Sequence, residues 1–191
     1  MTLRSLLKSL IAISALCLSL NASANLIFNF DKNLENNLTL IEYRIDNYIL
    51  KVTTPTNNGS IFTGGAGRLA VLSDTIQDKN NNIGRAEQLD FLLTDLNGNA
   101  VNFNGQLNIV FSGWDKKDRA RISGAGIDNT TYGNDNGTFS TFLSGDGFSV
   151  KGHRAGDGFR VSQVALIPEP STLAVLSLGL LAFSLRRFKH N

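Results

Sequence analysis

The chain has 191 residues, 42% of them hydrophobic and 18% charged, with a formal net charge of +2. That length suits one domain. The charge misleads: five of the 18 basic residues lie in the two end segments, and all 16 acidic ones lie between Asp31 and Glu169. Residues 25–170 therefore hold 13 basic against 16 acidic side chains, a net −3, which is not the balance of a nucleic-acid binder. No nucleic-acid partner is expected.

The first 24 residues read as a secretory signal peptide. Arg4 and Lys8 open it, an apolar run from Leu10 to Leu20 follows, and Ala22-Ser23-Ala24 is a small-x-small site for signal peptidase. Cleavage after Ala24 makes Asn25 the first residue of the mature chain. The only cysteine, Cys17, lies inside this leader. The mature domain, residues 25–167, is then left without thiol, disulfide or Cys-bound metal.

From Asn25 onward the chain reads as strands. The expected ones are Leu26–Phe30, Asn37–Ile45, Tyr48–Thr54, Arg68–Ser73, Gln88–Asp95, Gln106–Ser112, Arg119–Gly124, Gly137–Ser144, Phe148–His153 and Gly158–Ile167. Many alternate apolar and polar residues with period two, as half-buried strands do. The spacers are turn-formers such as Asn80–Gly84, Leu96–Asn99, Asn134–Gly137 and Ser144–Gly147. Gly and Asn tolerate the positive φ that tight turns demand. No stretch shows a capped helical period. The pattern predicts an all-β fold, an antiparallel β-sandwich or jelly roll, with a barrel as the alternative.

Three places invite a functional reading. Asp74, Asp78, Asn80, Asn82 and Glu87, with Asp90 beyond, form an acidic loop. Calcium takes six to eight oxygen ligands, and such a loop supplies them. Ile83 and Leu89 stand where an EF-hand needs Gly and Glu, so the readings are a structural calcium loop of another kind or an exposed Asn-rich turn. No other cofactor is expected. Trp114 with Asp115 and Asp118 sits at a strand end, where an exposed Trp stacks on a sugar ring and a packed one closes the core. Asp128, Tyr132, Asn134 and Asp135 read as a polar loop lining the same end. His153, the only histidine before the tail, has Arg154 and Asp157 nearby but no G-x-S-x-G and no cysteine partner, and reads as a surface residue rather than a catalyst. The basic cluster Lys116, Lys117, Arg119 and Arg121 is interleaved with Asp115 and Asp118 and reads as a solvated face.

The chain ends in Pro168-Glu169-Pro170, the 13-residue apolar stretch Leu173–Leu185, then Arg186, Arg187 and Lys189. The apolar stretch alone is short of the about 20 residues of a span, and the prolines can open a helix that lengthens it. Basic residues after a span stay on the cytoplasmic side. As physics, residues 168–191 read as a single transmembrane helix with a basic stop.

These features in this order resemble the PEP-CTERM sorting signal of Gram-negative bacteria. The resemblance implies an exported protein, held transiently in the inner membrane. An exosortase recognises the tail there and removes it near the Pro-Glu-Pro motif, leaving the body on the outer surface or in the medium. A permanent anchor is the alternative reading. The run Leu69–Gly124 also loosely resembles a domain type found ahead of such tails. The resemblance points to a non-enzymatic surface or matrix protein in an exopolysaccharide and biofilm setting, with extracellular polysaccharide as the partner of a carbohydrate-binding alternative.

Overall fold

Alternation in the sequence becomes alternation in burial. Along Phe103–Ser112, Phe103, Gly105, Leu107, Ile109 and Phe111 turn inward while their neighbours face outward or lie at the margin. The computed structural model describes residues 25–30, 38–56, 59–64, 68–73, 82–133, 136–153 and 158–169. Among them are twelve strands: β1 Leu26–Asn29, β2 Leu40–Ile45, β3 Tyr48–Thr53, β4 Gly59–Gly64, β5 Arg68–Ser73, β6 Gln88–Asp95, β7 Phe103–Ser112, β8 Ala120–Gly124, β9 Ile127–Tyr132, β10 Thr138–Gly145, β11 Gly147–Gly152 and β12 Arg160–Pro168. The expected signal helix and membrane helix fall on residues outside those described, save Pro168 and Glu169.

The strands form two sheets. One runs β10-β7-β12-β5-β4, with β1 added on β12; the other runs β2-β3-β6-β11-β8-β9. The fold is all-β, antiparallel and sandwich-like. The chain changes sheet repeatedly, at β1–β2, β3–β4, each step from β5 to β8 and each step from β9 to β12. Each crossing brings apolar side chains of both sheets into one core. Asn25–Ile167 is a compact unit.

Two of the strands were not expected from the sequence. β4 has only Ile61 and Phe62 as apolar residues between glycines, too short a pattern to stand out. Its partner makes it a strand: Ile61 pairs with Val71 and is fully buried. β9 corrects the expectation of a polar loop through Asp128 and Tyr132. It is an edge strand on β8, pairing Tyr132 with Ala120 and Thr130 with Ile122. An edge strand needs one ladder and little apolar surface, so its polar sequence hid it. β7 also starts earlier than expected, at Phe103, because Gly105 continues the ladder opposite Leu143.

The core is rich in phenylalanine. Phe91 lies 2% exposed, stacked on Phe148 at 4.7 Å and near Phe30 at 6.4 Å. Phe30 in turn packs on Tyr43 at 4.7 Å. Phe91→Ala removes one ring from this stack and leaves a cavity between the sheets. We expect it to cost about 3–5 kcal/mol, read as a lower midpoint in urea with an unchanged slope.

Turns are set by local chemistry. After β6, the Asp95 carboxylate accepts hydrogen bonds from Asn97 N at 2.9 Å, Asn99 N at 2.9 Å and Asn99 Nδ2 at 2.9 Å. These bonds, led by that of the Asn99 side chain, hold its carboxyl below the usual carboxylate value. Gly98 takes the positive φ of 86° that closes the turn.

Candidate functional site

Two places combine exposure with unusual residues. The first is an aromatic cluster at the end of β7. The strand finishes at Ser112, and Gly113, at φ 66°, turns the chain back so that Trp114 lies over Phe111 with ring centroids 4.8 Å apart. Trp114 also meets Tyr132 at 5.2 Å and Phe159 at 5.0 Å. Phe139 supports Tyr132 from below at 5.5 Å, edge to face. Phe111, Phe139 and Phe159 are buried; Trp114 and Tyr132 are half-buried. The result is a fixed two-ring rim on an aromatic base.

Gly137 fits beside it because it has no side chain. Its φ is 61°, and a Cβ there would lie 3.3 Å from the Trp114 Cβ. Tyr132 OH is bonded to Asn136 Oδ1, and Thr138 N donates to that hydroxyl oxygen at 3.2 Å. The rim thus has apolar faces and a polar edge.

The carboxylates next to Trp114 are used inside their own turn. Asp118 is 1% exposed, and its Oδ2 accepts from Asp115 N at 2.8 Å. Asp115 is exposed, and its Oδ1 accepts from Lys117 N at 2.6 Å and Asp118 N at 3.2 Å. Of the basic cluster, Lys116, Lys117 and Arg121 are exposed and Arg119 half-buried, while the interleaved Asp118 is enclosed by the turn. Arg119 Nη1 donates to the Lys116 and Asp118 carbonyls at 2.9 and 2.6 Å.

Of the acidic loop, Asp74, Asp78 and Asn80 lie outside the described residues. Asn82 Oδ1 accepts from Arg160 Nε at 2.8 Å. Glu87 is fully buried, and its Oε2 accepts from Gly84 N at 2.7 Å. Among the described residues, no group of three His, Cys, Asp or Glu side chains is placed to hold a metal ion. His153 is exposed just after β11, its backbone N–H donating to Arg119 O at 2.8 Å.

The second place is the end of β12. The strand carries buried Val161, Val164, Ala165 and Leu166, and stops at Pro168. Pro168 is half-buried and Glu169 exposed, while Pro170, Arg186 and Arg187 lie outside the described residues. β1 pairs antiparallel with this end, Leu26 opposite Leu166. The folded unit is thus entered and left at one corner.

Fold and site together define an antiparallel two-sheet domain whose last core strand runs straight into a Pro-Glu-Pro segment. Residues 166–187 match the family model of the PEP-CTERM protein-sorting motif; the chain is a protein with a PEP-CTERM sorting domain. The motif implies an exported, membrane-processed protein and an exosortase as its processing enzyme. No curated protein matches the chain. Among solved structures, a low-affinity xylan-binding module (CBM86) of Roseburia intestinalis aligns with a TM-score of 0.42 and 7% identity, covering 77% of this chain and 97% of that one. A likeness at that level assigns no ligand here.

Sequence reasoning singled out Trp114 but missed most of its setting. Phe111 and Phe159 sit in different expected strands, and only the fold brings their rings within 5.1 Å of each other beside Trp114. The available signal was the phase of β7, which places Phe111 inward, two residues before Gly113-Trp114.

Proposed function

We propose that this chain is a non-enzymatic protein of the cell surface or extracellular matrix, structural or adhesive in an exopolysaccharide setting, delivered through a removable tail. The observation that supports this reading is where the fold stops. The last strand among the described residues, β12, is paired in the sheet and ends at Pro168, while the sorting motif extends to residue 187. Among the described residues, every buried apolar side chain lies before Pro168, on the side that stays when the tail is removed. Mass spectrometry of the protein from its host tests this. The expected form begins at Asn25, ends close to Pro170 and is found outside the inner membrane. An intact Asn191 in the inner membrane fraction makes the tail a permanent anchor and overturns the reading.

A second reading, binding of carbohydrate, is favoured by the Trp114–Tyr132 rim. Fixed, half-exposed aromatic faces lose little conformational entropy when a sugar ring stacks on them. Trp114 is the only tryptophan, so its fluorescence reports on this site alone. Titration with soluble polysaccharide should quench or shift the emission. Tyr132→Ala should weaken that binding about tenfold, the loss of one aromatic contact. Unchanged emission across a panel of acidic and neutral glycans rejects the reading.

A further inference from the structure

The sorting motif and the sandwich share residues. The motif match begins at Leu166, whereas β12 continues to Pro168. Leu166 is 1% exposed and lies opposite Leu26 of β1. A backbone held in a sheet ladder cannot at the same time lie extended in a protease cleft. Cutting next to a folded element proceeds through local opening.

β1 is the element best placed to control that opening. It has four residues and joins the sheet through β12, outside the main strand order. Its register is Leu26–Leu166, Ile27–Ala165, Phe28–Val164 and Asn29–Gln163. Phe30 N donates to Ser162 O at 3.1 Å. Counting back from that bond, Phe28–Val164 and Leu26–Leu166 are the hydrogen-bonded pairs. Ile27–Ala165 and Asn29–Gln163 are the pairs whose side chains approach closest. The 2.6 Å bond from Gln163 Nε2 to Asn29 Oδ1 fits this assignment. Leu26 and Phe28 point into the core, while Ile27 is 43% exposed. A short terminal strand held by so few side chains belongs to the least stable part of a sheet.

We propose that β1 is a latch over the start of the sorting motif. The exosortase acts on the state in which the β1 end of β12 has opened, so the β1–β12 pairing sets the rate of tail removal. The latch rests on the exosortase processing described above. When opening and closing are fast, the cutting rate follows the population of the open form. The strand that follows the expected signal cleavage site thereby governs cutting at the other end of the domain.

A disulfide clasp tests the latch. Ile27→Cys with Ala165→Cys joins the close pair nearest the motif, and Cys17→Ser removes the competing thiol of the leader. The full chain is expressed in an exosortase-bearing host, and conversion to the tail-less form is followed by mass. With the clasp closed, conversion should slow at least about tenfold. Added reductant should restore it, and either single-cysteine chain should be cut like the wild type. Leu26→Ala, which leaves the motif unaltered and keeps the test open if the clasped chain fails to fold, should be cut several times faster. A clasped, cooperatively melting protein cut at the wild-type rate overturns the latch and leaves sorting intact. Leu26→Ala cut no faster than wild type does the same. A wild-type chain that is never cut overturns both.

Discussion

Gly152→Ala should destabilise the domain by about 3 kcal/mol, at the upper end of the cost of overpacking, and lower its melting temperature by about 5–10 °C. A Cβ on Gly152 would overlap the Gly84 carbonyl oxygen and stand 2.7 Å from the Gly84 carbonyl carbon. Both are backbone atoms, so no side chain can swing aside. The backbone of Gly152 is also engaged: its N–H donates to Glu87 O at 2.9 Å, and its carbonyl accepts from Ala86 N at 3.0 Å. The loop it supports is tightly determined. Ala86 is held at φ 70°, a conformation unfavourable for a residue with a side chain. Glu87, fully buried, fixes the far side through its bond from Gly84 N. Moving Gly84 to admit a methyl group therefore disturbs the strained alanine and the buried carboxylate together. Thermal unfolding followed by circular dichroism checks this. A melting temperature within 2 °C of wild type, taken as roughly the effect of a harmless surface change, would show that the loop yields freely.

That loop also shows how far the sequence could be read. Its acidic and Asn-rich lettering suggested ligands facing water. In the fold, Glu87 ties the loop to itself and Asn82 ties it to Arg160 of β12. Carboxylates that cap backbone N–H groups and carboxylates that bind ions look alike in one dimension, because both need closely spaced Asp, Asn and Glu. Strands were more legible where burial alternates. β6 matches its expected range residue for residue through such alternation, and β5 does so as a continuous apolar run, with Leu69, Ala70 and Val71 all buried, that ends at turn-formers. β4 and β9 were not legible, because the ladder to a neighbour defines them. The Trp114–Tyr132 contact was likewise beyond the sequence, for it joins the end of β7 to the end of β9 through a fold that had first to be built. The sorting motif was legible in full because its signal is sequential. A linear order of Pro-Glu-Pro, apolar run and basic pair is read by an enzyme along the chain, with no tertiary contact needed to define it.

A mature chain ending at Glu169 should fold as well as the tailed protein, while one ending at Phe159 should not fold at all. The difference between them is β12. Val161, Val164 and Leu166 are each within 1% of complete burial. Burial of three such side chains contributes roughly 5–9 kcal/mol, which is comparable to the whole net stability of a typical domain, about 5–15 kcal/mol. The loss of hydrogen bonds adds to this. β12 lies between β7 and β5 and also carries β1, so its removal leaves three strands with exposed ladders. The core side chains among the described residues run from Leu26 to Leu166. The chain to Glu169 should therefore show a single cooperative melt and the far-ultraviolet spectrum of antiparallel sheet. The chain to Phe159 should show neither, and its Trp114 emission should shift to that of a solvated indole, because Phe159 then has no strand to hold it 5.0 Å from the Trp114 ring. A cooperative transition in the shorter chain would mean that β7 and β5 close on each other without β12. Failure of the longer chain to fold would mean that the tail is part of the domain, and an exosortase cut near Pro170 would then destroy what it delivers.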